Sequence, residues 1–579
     1  MRSSDPSGPG FDRVLATLAA VVVCLMLGFG LGRLPLLQPD EGRNAEVARE
    51  MKVSGAWLVP TYNGVDYLDK PAFYFKIVAL SLAAFGDNET AARLPSALFA
   101  AGLIGMAFAF CRRVYRSTRV AWLAVIVVAT MPLYFGHARI VIFDMALTFF
   151  ACGAIFAGFL AEETEGRARR NWYLLASAAA GLATLVKGPV GFAVPLLVLL
   201  ASHGVNRRRG AWKRLFAPLN FLVFFAVTLP WFVSLCRARP DFLYYGLVEE
   251  TFNRFTSAEK FQRDKPFYYY AVLVAGTFFP WSLLLLEAVL ASWRQRWFRH
   301  RADILCAVWC LAVVLFFSTS KSKQPGYILS VTVACGILVA RLMGATLTDP
   351  AGRAARLVAN GTMVIVGLSL GGLMLVAGGA AAMDRLAPLL DLSADEARRF
   401  VPLGGPLAIG LVVCALAGSL GLIRRSPQFS FLSFAAFLPL FLIFNVPILE
   451  LALESKSGRT VSDALGGIPR DTELASLECF PNGASFYLGR TFTLISADGG
   501  ELTSNYIPHR LARSKKWPAN IVPVAELDRW LATRTAPVFL IARARARERL
   551  EKIAATRGAA VEPVTDRYCG ARLPAPRGN

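Results

Sequence analysis

The sequence predicts an all-α polytopic membrane protein of about thirteen transmembrane helices over residues 1–450, followed by a soluble α/β domain over residues 451–579. Three observations carry this. Of the 579 residues, 55% are hydrophobic and the mean hydropathy is +0.48, with the apolar residues gathered in runs of roughly 17–25, the length that crosses about 30 Å of hydrocarbon. Short clusters of arginine and lysine, nearly free of acids, alternate with loops that hold most of the carboxylates. After about residue 450 the apolar runs stop and a mixed polar composition begins. A formal charge of +22 would point a soluble chain toward nucleic acid. Here the excess sits in short loops beside spans, where positive-inside bias accounts for it, so no nucleic-acid partner is expected.

The first apolar run, about Val14 to Leu31, follows Arg13 and is not followed by a small-residue cleavage site, so it reads as a retained first span. With the N-terminus cytoplasmic, Arg112/Arg113/Arg116/Arg119, Arg167/Arg169/Arg170, Arg207/Arg208/Arg209/Lys213/Arg214, Arg294/Arg296/Arg299/Arg301 and Arg424/Arg425 all face the cytoplasm. The opposite sidedness would put every cluster outside, against the rule. The external side then receives loop 33–90, the turn His137 to Asp144, the break at Lys187, loop 236–268, the turn Lys321 to Tyr327, loop 384–402 and the segment after about Ile448. In that last segment Ala484-Ser-Phe-Tyr-Leu and Pro537-Val-Phe-Leu-Ile read as β-like runs, and Arg543 to Ala555 as a charged helix. Cys479 and Cys569 lie apart from the spans and could pair in an oxidising compartment or stay free; the other eight cysteines read as small packing residues.

The external loops hold the chemistry. After the first span comes Pro39-Asp40-Glu41-Gly42-Arg43-Asn44-Ala45-Glu46-Val47-Ala48-Arg49-Glu50-Met51, which predicts a juxtamembrane amphipathic helix with acids at its positive end. Capping of that helix would by itself explain Asp40 and Glu41. Downstream stand Tyr62-Asn63-Gly64, Tyr67-Leu68-Asp69-Lys70-Pro71 and Arg93-Leu94-Pro95-Ser96. Lys187 interrupts a long apolar hairpin whose two ends are cytoplasmic, and an ionisable residue so placed is a functional candidate. Phe73, Phe75 and Trp231 could line a lipid groove or belong to an interfacial aromatic belt.

Taken together these motifs resemble the GT-C membrane glycosyltransferases, specifically the family holding the bacterial lipid A aminoarabinose transferases and the protein O-mannosyltransferases. The likeness rests on Pro39-Asp40-Glu41 with Arg43 and Ala45-Glu46, Asp69-Lys70-Pro71, Arg93-Leu94-Pro95-Ser96, Asp144 after Arg139, and Lys187-Gly188-Pro189. It continues through Pro230-Trp231, Arg254-Phe255, Pro266-Phe267-Tyr268-Tyr269 and Ser322-Lys323-Gln324-Pro325-Gly326-Tyr327-Ile328-Leu329. The resemblance implies a GT-C fold in the bacterial inner membrane, an undecaprenyl-phosphate-linked sugar donor among the membrane lipids, and transfer at the periplasmic face to lipid A. The sugar it implies is 4-amino-4-deoxy-L-arabinose.

The chemistry of such a reaction fits the residues. A lipid phosphate leaves with growing negative charge, so preorganised cations are needed at membrane depth. Lys70, Lys187, Arg254 and Lys323 occupy separate external segments that could converge there, with Tyr327 as a hydrogen-bond donor and Glu41, Arg43, Arg139, Tyr67 and Asp69 in support. Asp40 and Asp144 are the catalytic acids, Asp40 at the reacting centre and Asp144 behind it, with a structural Asp144–Arg139 pair as the alternative. A hydroxyl acceptor would give Asp40 the task of general base. A lipid A phosphate acceptor needs no base, and the acid would then bind an ammonium group, orient a cation or hold a divalent metal ion.

Two positions depart from the aminoarabinose-transferase pattern: Thr251, and Gln262-Arg263, stand where those relatives carry histidines. His137, His203, His300 and His509 show no metal-ligand spacing, so no histidine-bound metal is expected. The departures keep open hexosamine (glucosamine) transfer to lipid A and protein O-mannosylation. A secondary transporter would show internal repeats and midplane charges, which are not evident. A non-catalytic lipid-binding assembly protein would explain the hydrophobicity but not the ordered acidic and basic motifs.

Overall fold

The computed structural model describes residues 9–246, 248–249, 265–285, 288, 300–386, 398, 401–454, 456–514 and 516–575. Helices dominate up to Glu454: α1 (Pro9–Gly28), α2 (Asp40–Ser54), α3 (Phe73–Phe85), α4 (Glu89–Tyr115), α5 (Thr118–Ala129), α6 (Pro132–Ala138), α7 (Asp144–Glu162), α8 (Gly166–Lys187) and α9 (Val190–Val205). Longer helices follow at Pro218–Ala238, Arg301–Thr319, Val331–Thr348, Arg353–Ala377, Gly404–Ile423 and Pro427–Glu454. Among the described residues seven helices are long and apolar enough to cross a membrane alone, and the α5–α6 pair, bent by 71°, makes an eighth. The further crossings that the charge pattern asks for fall on elements such as α9, 16 residues long, and α8, whose first turn carries arginines.

The bend has a local cause. Pro132 begins α6 without an N–H to continue the α5 ladder, and the Thr130 hydroxyl at the break bonds back to Ile126 O at 2.7 Å. Helix Val331–Thr348 is buried along nearly its whole length and packs on α5. Small residues allow it: a Cβ on Gly336 would run into Val128 Cγ2, and one on Gly344 would come within 3.0 Å of Val120 Cγ2. That is how helices approach closely in lipid, where burial of apolar surface supplies little drive. The last three membrane helices pack on one another and present Leu368, Met374 and Leu416 outward.

The juxtamembrane helix forms as α2, but it is not amphipathic: ten of its 15 residues are buried, among them Glu41, Arg43, Asn44 and Glu46. It is covered on the side the sequence would leave to solvent, because the C-terminal domain sits on it. A Cβ on Gly42 would come within 2.6 Å of Gly483 Cα, so the two backbones touch there. A short hairpin, β1 (Thr61–Tyr62) and β2 (Val65–Asp66), turns through Asn63 and Gly64, both at positive φ as a tight hairpin turn requires. The hairpin plugs into the same domain. Asn63 Nδ2 donates to Phe492 O at 2.7 Å, Phe492 N–H donates back to Asn63 Oδ1 at 2.8 Å, and Tyr62 OH donates to Asn482 Oδ1 at 2.6 Å.

The domain itself is a six-stranded sheet of order β5-β4-β3-β6-β8-β7. Strands β3 (Glu473–Leu477), β4 (Thr493–Ser496), β5 (Ile521–Pro523) and β6 (Val538–Arg543) are parallel; β7 (Val561–Thr565) and β8 (Tyr568–Leu573) close it antiparallel. Both faces are buried, as the near-continuous apolar run Val538–Ala542 demands. Leu474, Leu494, Phe539 and Ile541 share one core with Ala45, Tyr62 and Phe75 of the membrane-side layer. Leu477, Ile495 and Leu540 pack on the other face beneath Leu531 and Leu550.

Two readings change here. Ala484–Leu488 is a helical turn, not a strand, held between two left-handed glycines, Gly483 and Gly489. Tyr487 in that turn accepts Leu36 N–H at 2.8 Å, a long-range contact that overrides the strand propensity of Phe486 and Tyr487. Cys479 and Cys569 are buried free thiols. Each donates to a carbonyl of β6, Cys479 to Ile541 and Cys569 to Ala542. Strand β6 therefore lies between them, and two strand spacings, roughly 10 Å, exceed disulfide reach.

Candidate active site

Helices α7 and α8 pair antiparallel, so the first residue of one meets the last of the other. Asp144 Oδ1 accepts from Lys187 Nζ at 2.6 Å, with the side chains only 5% and 11% exposed. The 3-10 turn Pro325–Ile328 brings a third element: the Tyr327 ring centre lies 5.2 Å from Lys187 Nζ. The turn fits only because residue 326 is glycine. A Cβ there would stand 2.6 Å from Asp144 Oδ1 and 3.0 Å from His137 Nε2. Gly326→Ala is therefore expected to cost about 1–3 kcal/mol through overpacking, read as a lower unfolding midpoint in detergent. An unchanged midpoint would mean that the turn yields freely.

Segment Leu68–Pro71, just before α3, supplies the fourth element, and together these line a cavity of about 750 Å³. Asp69, Lys70, Asp144, Lys187 and Tyr327 all line it, with Thr184, Thr228, Ser320 and Ser322 as further polar groups. Farther along α7, α9 and helix Pro218–Ala238 the wall turns apolar, through Leu147, Phe192, Phe225, Leu229 and Phe232. The site thus has a charged head and a long apolar wall, the complement of a phosphorylated lipid.

The other acids are held in distinct ways. Glu41 accepts Leu37 N–H and Val141 N–H at 3.0 Å each, and both Arg93 Nε and Nη2 at 2.9 Å. It ties loops to helices and lies outside the cavity lining. Asp69 lines the cavity but its carboxylate is taken up by Tyr245 OH, Ser504 Oγ, and the N–H groups of Asn505 and Tyr506 at 2.8–3.1 Å. Asp40 opens α2 with its side chain 48% exposed and paired to Arg43. The structure does not place Asp40 in the cavity wall. Its partner Arg43 has its guanidinium 5.7 Å from the Tyr67 ring centre, and Tyr67 precedes the cavity-lining Leu68-Asp69-Lys70 in the chain. Burial acts against the Arg43 charge, but Tyr67, Asp40 and Asp69 around it hold its pKa above the ordinary value.

Two expected cations do not reach the cavity. Lys323 is buried and donates to the carbonyls of Ser320 at 2.6 Å and Lys265 at 2.9 Å, pinning the turn that carries Tyr327. Arg139 turns away from Asp144 to bond Met26 O at 2.9 Å and Phe29 O at 2.6 Å at the C-terminal end of α1. Asp144 pairs with Lys187, so the Asp144–Arg139 alternative gives way. Phe73, Phe75 and Trp231 are outside the lining as well. Arg254, Thr251, Gln262 and Arg263 lie outside the described residues.

Among the described residues no three His, Cys, Asp or Glu side chains gather as metal ligands. Asp144 faces an ammonium, Asp40 a guanidinium, and Glu41 and Asp69 face N–H and O–H donors, so these residues do not outline a metal site. Residues that sequence reading missed are Gly326 as a packing requirement, the hydroxyls of Thr184, Thr228, Ser320 and Ser322, and the C-terminal segment that holds Asp69. Gly326 had a signal, a glycine between Pro325 and Tyr327 in a motif already singled out. The C-terminal segment had none.

The sequence model of the dolichyl-phosphate-mannose-protein mannosyltransferase family matches residues 35–245, the stretch that holds Asp40, Lys70, Asp144 and Lys187. Over 459 residues the chain is 30% identical to the undecaprenyl phosphate-alpha-4-amino-4-deoxy-L-arabinose arabinosyl transferase of Edwardsiella ictaluri, covering 77% of this chain and 79% of that one. It is 33% identical over 327 residues to the transferase of the same name from Enterobacter sp., covering 55% and 58%. The crystal structure of ArnT from Cupriavidus metallidurans bound to undecaprenyl phosphate is similar with a TM-score of 0.78 and 25% identity, covering 98% of both chains.

Proposed function

The chain belongs to the family of the undecaprenyl phosphate-alpha-4-amino-4-deoxy-L-arabinose arabinosyl transferases, and from that premise we propose that it transfers 4-amino-4-deoxy-L-arabinose from undecaprenyl phosphate to a phosphate of lipid A. It is a multi-pass membrane glycosyltransferase of the GT-C fold that uses an undecaprenyl-phosphate-linked donor. We place it in the bacterial inner membrane with the site and the C-terminal domain on the periplasmic side, as the five basic clusters support.

The observation that carries the reading is the cavity that joins Lys70, Lys187 and Tyr327 to a long apolar wall. A polyisoprenyl chain fits the wall, and its phosphate meets the cations. During transfer the bond from the sugar C1 to the donor phosphate oxygen breaks, and the electron pair leaves with that oxygen. A lipid A phosphate oxygen forms the new bond to C1 and carries its own charge in, so no proton has to be removed. What this chain must supply is stabilisation of the phosphate that leaves, which fixed cations in a water-poor site do well. Asp144 keeps Lys187 aimed along the α7–α8 seam, and Tyr327 stacks its ring beside that ammonium. Asp40, half exposed and paired with Arg43, keeps a charge free to meet the amino sugar or the acceptor, which supports a role for it in this reading.

Mass spectrometry of lipid A after incubation with the purified chain and donor is the test. A gain equal to one aminoarabinose residue is expected. A gain equal to a hexosamine would reassign the sugar, and unmodified lipid A beside modified peptide would move the reaction to protein O-glycosylation.

A further inference from the structure

Resting on the transferase reading above, we infer that Thr503 is a positioning residue for the transfer step, and that segment Thr503–Tyr506 of the C-terminal domain completes the active site. Arg43 Nη1 donates to Thr503 O at 2.8 Å and to Thr503 Oγ1 at 2.7 Å, while its Nη2 holds Asp40. Two acceptors from one residue on one nitrogen fix the guanidinium plane, and the plane fixes where Asp40 stands.

The next three residues hold Asp69, which lines the cavity. Ser504 Oγ and the N–H groups of Asn505 and Tyr506 converge on the Asp69 carboxylate. Asp69 in turn anchors Lys70, whose Nζ donates to Asp69 O at 2.7 Å. Tyr506 OH reaches on to Asp241 at 2.8 Å, the residue that begins the helical turn Phe242–Tyr244. One run of four residues therefore touches the holders of Asp40 and of Lys70.

The segment is built to keep its shape. Ser496 Oγ accepts Gly499 N–H at 2.7 Å, and Asp498 Oδ1 accepts Gly500 N–H at 2.8 Å, which locks the approach. Thr503 stands at φ +54°, a left-handed conformation that a β-branched residue rarely adopts and that surrounding structure must enforce. Docking alone does not call for this. Asn63–Phe492 and the Gly42–Gly483 contact already seat the domain, and Thr503 Oγ1 adds only a long bond, 3.4 Å, to Asn482 Oδ1, which Tyr62 OH already holds at 2.6 Å. Burial would raise the Asp66 carboxyl, but Arg239 and Arg510 hold it below the usual range, a further docking pair.

Thr503→Val tests the grip, because valine keeps the β-branched shape at positive φ and removes only the hydroxyl. With the purified full chain, undecaprenyl-phosphate-linked aminoarabinose and lipid A, kcat is expected to fall about tenfold, the loss of the hydrogen bond to the charged Arg43; the hydroxyl's longer bond to Asn482 Oδ1, 3.4 Å, is lost with it. KM for the donor, undecaprenyl phosphate binding and the thermal midpoint should hold. Thr503→Ser should restore most of the rate, and Asn520→Ala, which removes a docking bond to Asn63 O, should leave it intact. Wild-type turnover in Thr503→Val overturns the inference. So does an equal loss in Asn520→Ala, or a rate that falls in step with the thermal midpoint, since either makes the role one of docking or folding. A wild-type chain that transfers no sugar removes the transferase reading itself, and with it this inference; active wild type beside unaltered Thr503→Val removes only the latter.

Discussion

Asp40→Asn is expected to lower sugar transfer by about 10²- to 10³-fold, the usual cost of losing one preorganised charge at a reacting centre, while the fold and undecaprenyl phosphate binding persist. The reason lies in how the acids of this region are held. Glu41, Asp69 and Asp144 are buried and spend their oxygens on arginine, lysine and N–H groups that tie the structure together. Asp40 is 48% exposed and pairs with Arg43 alone among the bonds described for it. An ionised carboxylate has about four acceptor sites, so capacity remains for a substrate. Asparagine keeps the shape and the start of α2, and removes only the charge. The split between kcat and KM then tells what the charge does. A rise in donor KM with kcat intact means that Asp40 binds the sugar's ammonium group. A fall in kcat with KM unchanged places it at the transition state. Turnover at the wild-type level would remove Asp40 from the mechanism.

The difference between Asp40 and its neighbours shows where sequence reasoning reaches and where it ends. Lys70, Asp144, Lys187 and Tyr327 could be named from the sequence because each sits at the edge of an apolar run, and helix geometry then brings the edges together. Lys323 and Arg139 carry the same signal and do other work. Lysine and arginine at a span end can as well satisfy stray carbonyls, and only the direction of the chain after Ala138 and after Ser322 decides between the two. The buried state of α2 was hidden for a related reason. Its polar face is covered by residues more than four hundred positions away, such as Asn482 and Thr503, and nothing local in Asp40–Met51 announces a cover. Strand β6 was readable because a parallel strand buried on both faces needs an unbroken apolar run. Ala484–Leu488 was not, since its conformation comes from flanking glycines and from Leu36.

Lys187→Ala is expected to remove both stability and function, and a second substitution separates the two. Its ammonium and the Asp144 carboxylate are nearly sequestered, at 11% and 5% exposure and 2.6 Å apart. Removing one partner leaves a buried carboxylate without its ion-pair partner, which costs about 3–5 kcal/mol. Thermal unfolding should therefore shift down sharply in Lys187→Ala. Adding Asp144→Asn removes the stranded charge and should return most of the midpoint, because a neutral amide in that site leaves no unpaired ion. Turnover should not return. If Lys187 stabilises the phosphate that leaves, the double variant stays about 10²- to 10³-fold below wild type, the usual cost of losing one preorganised charge-stabilising group. Recovery of rate along with stability would mean that the pair only holds α7 to α8, and that Lys70 and Tyr327 carry the phosphate without it.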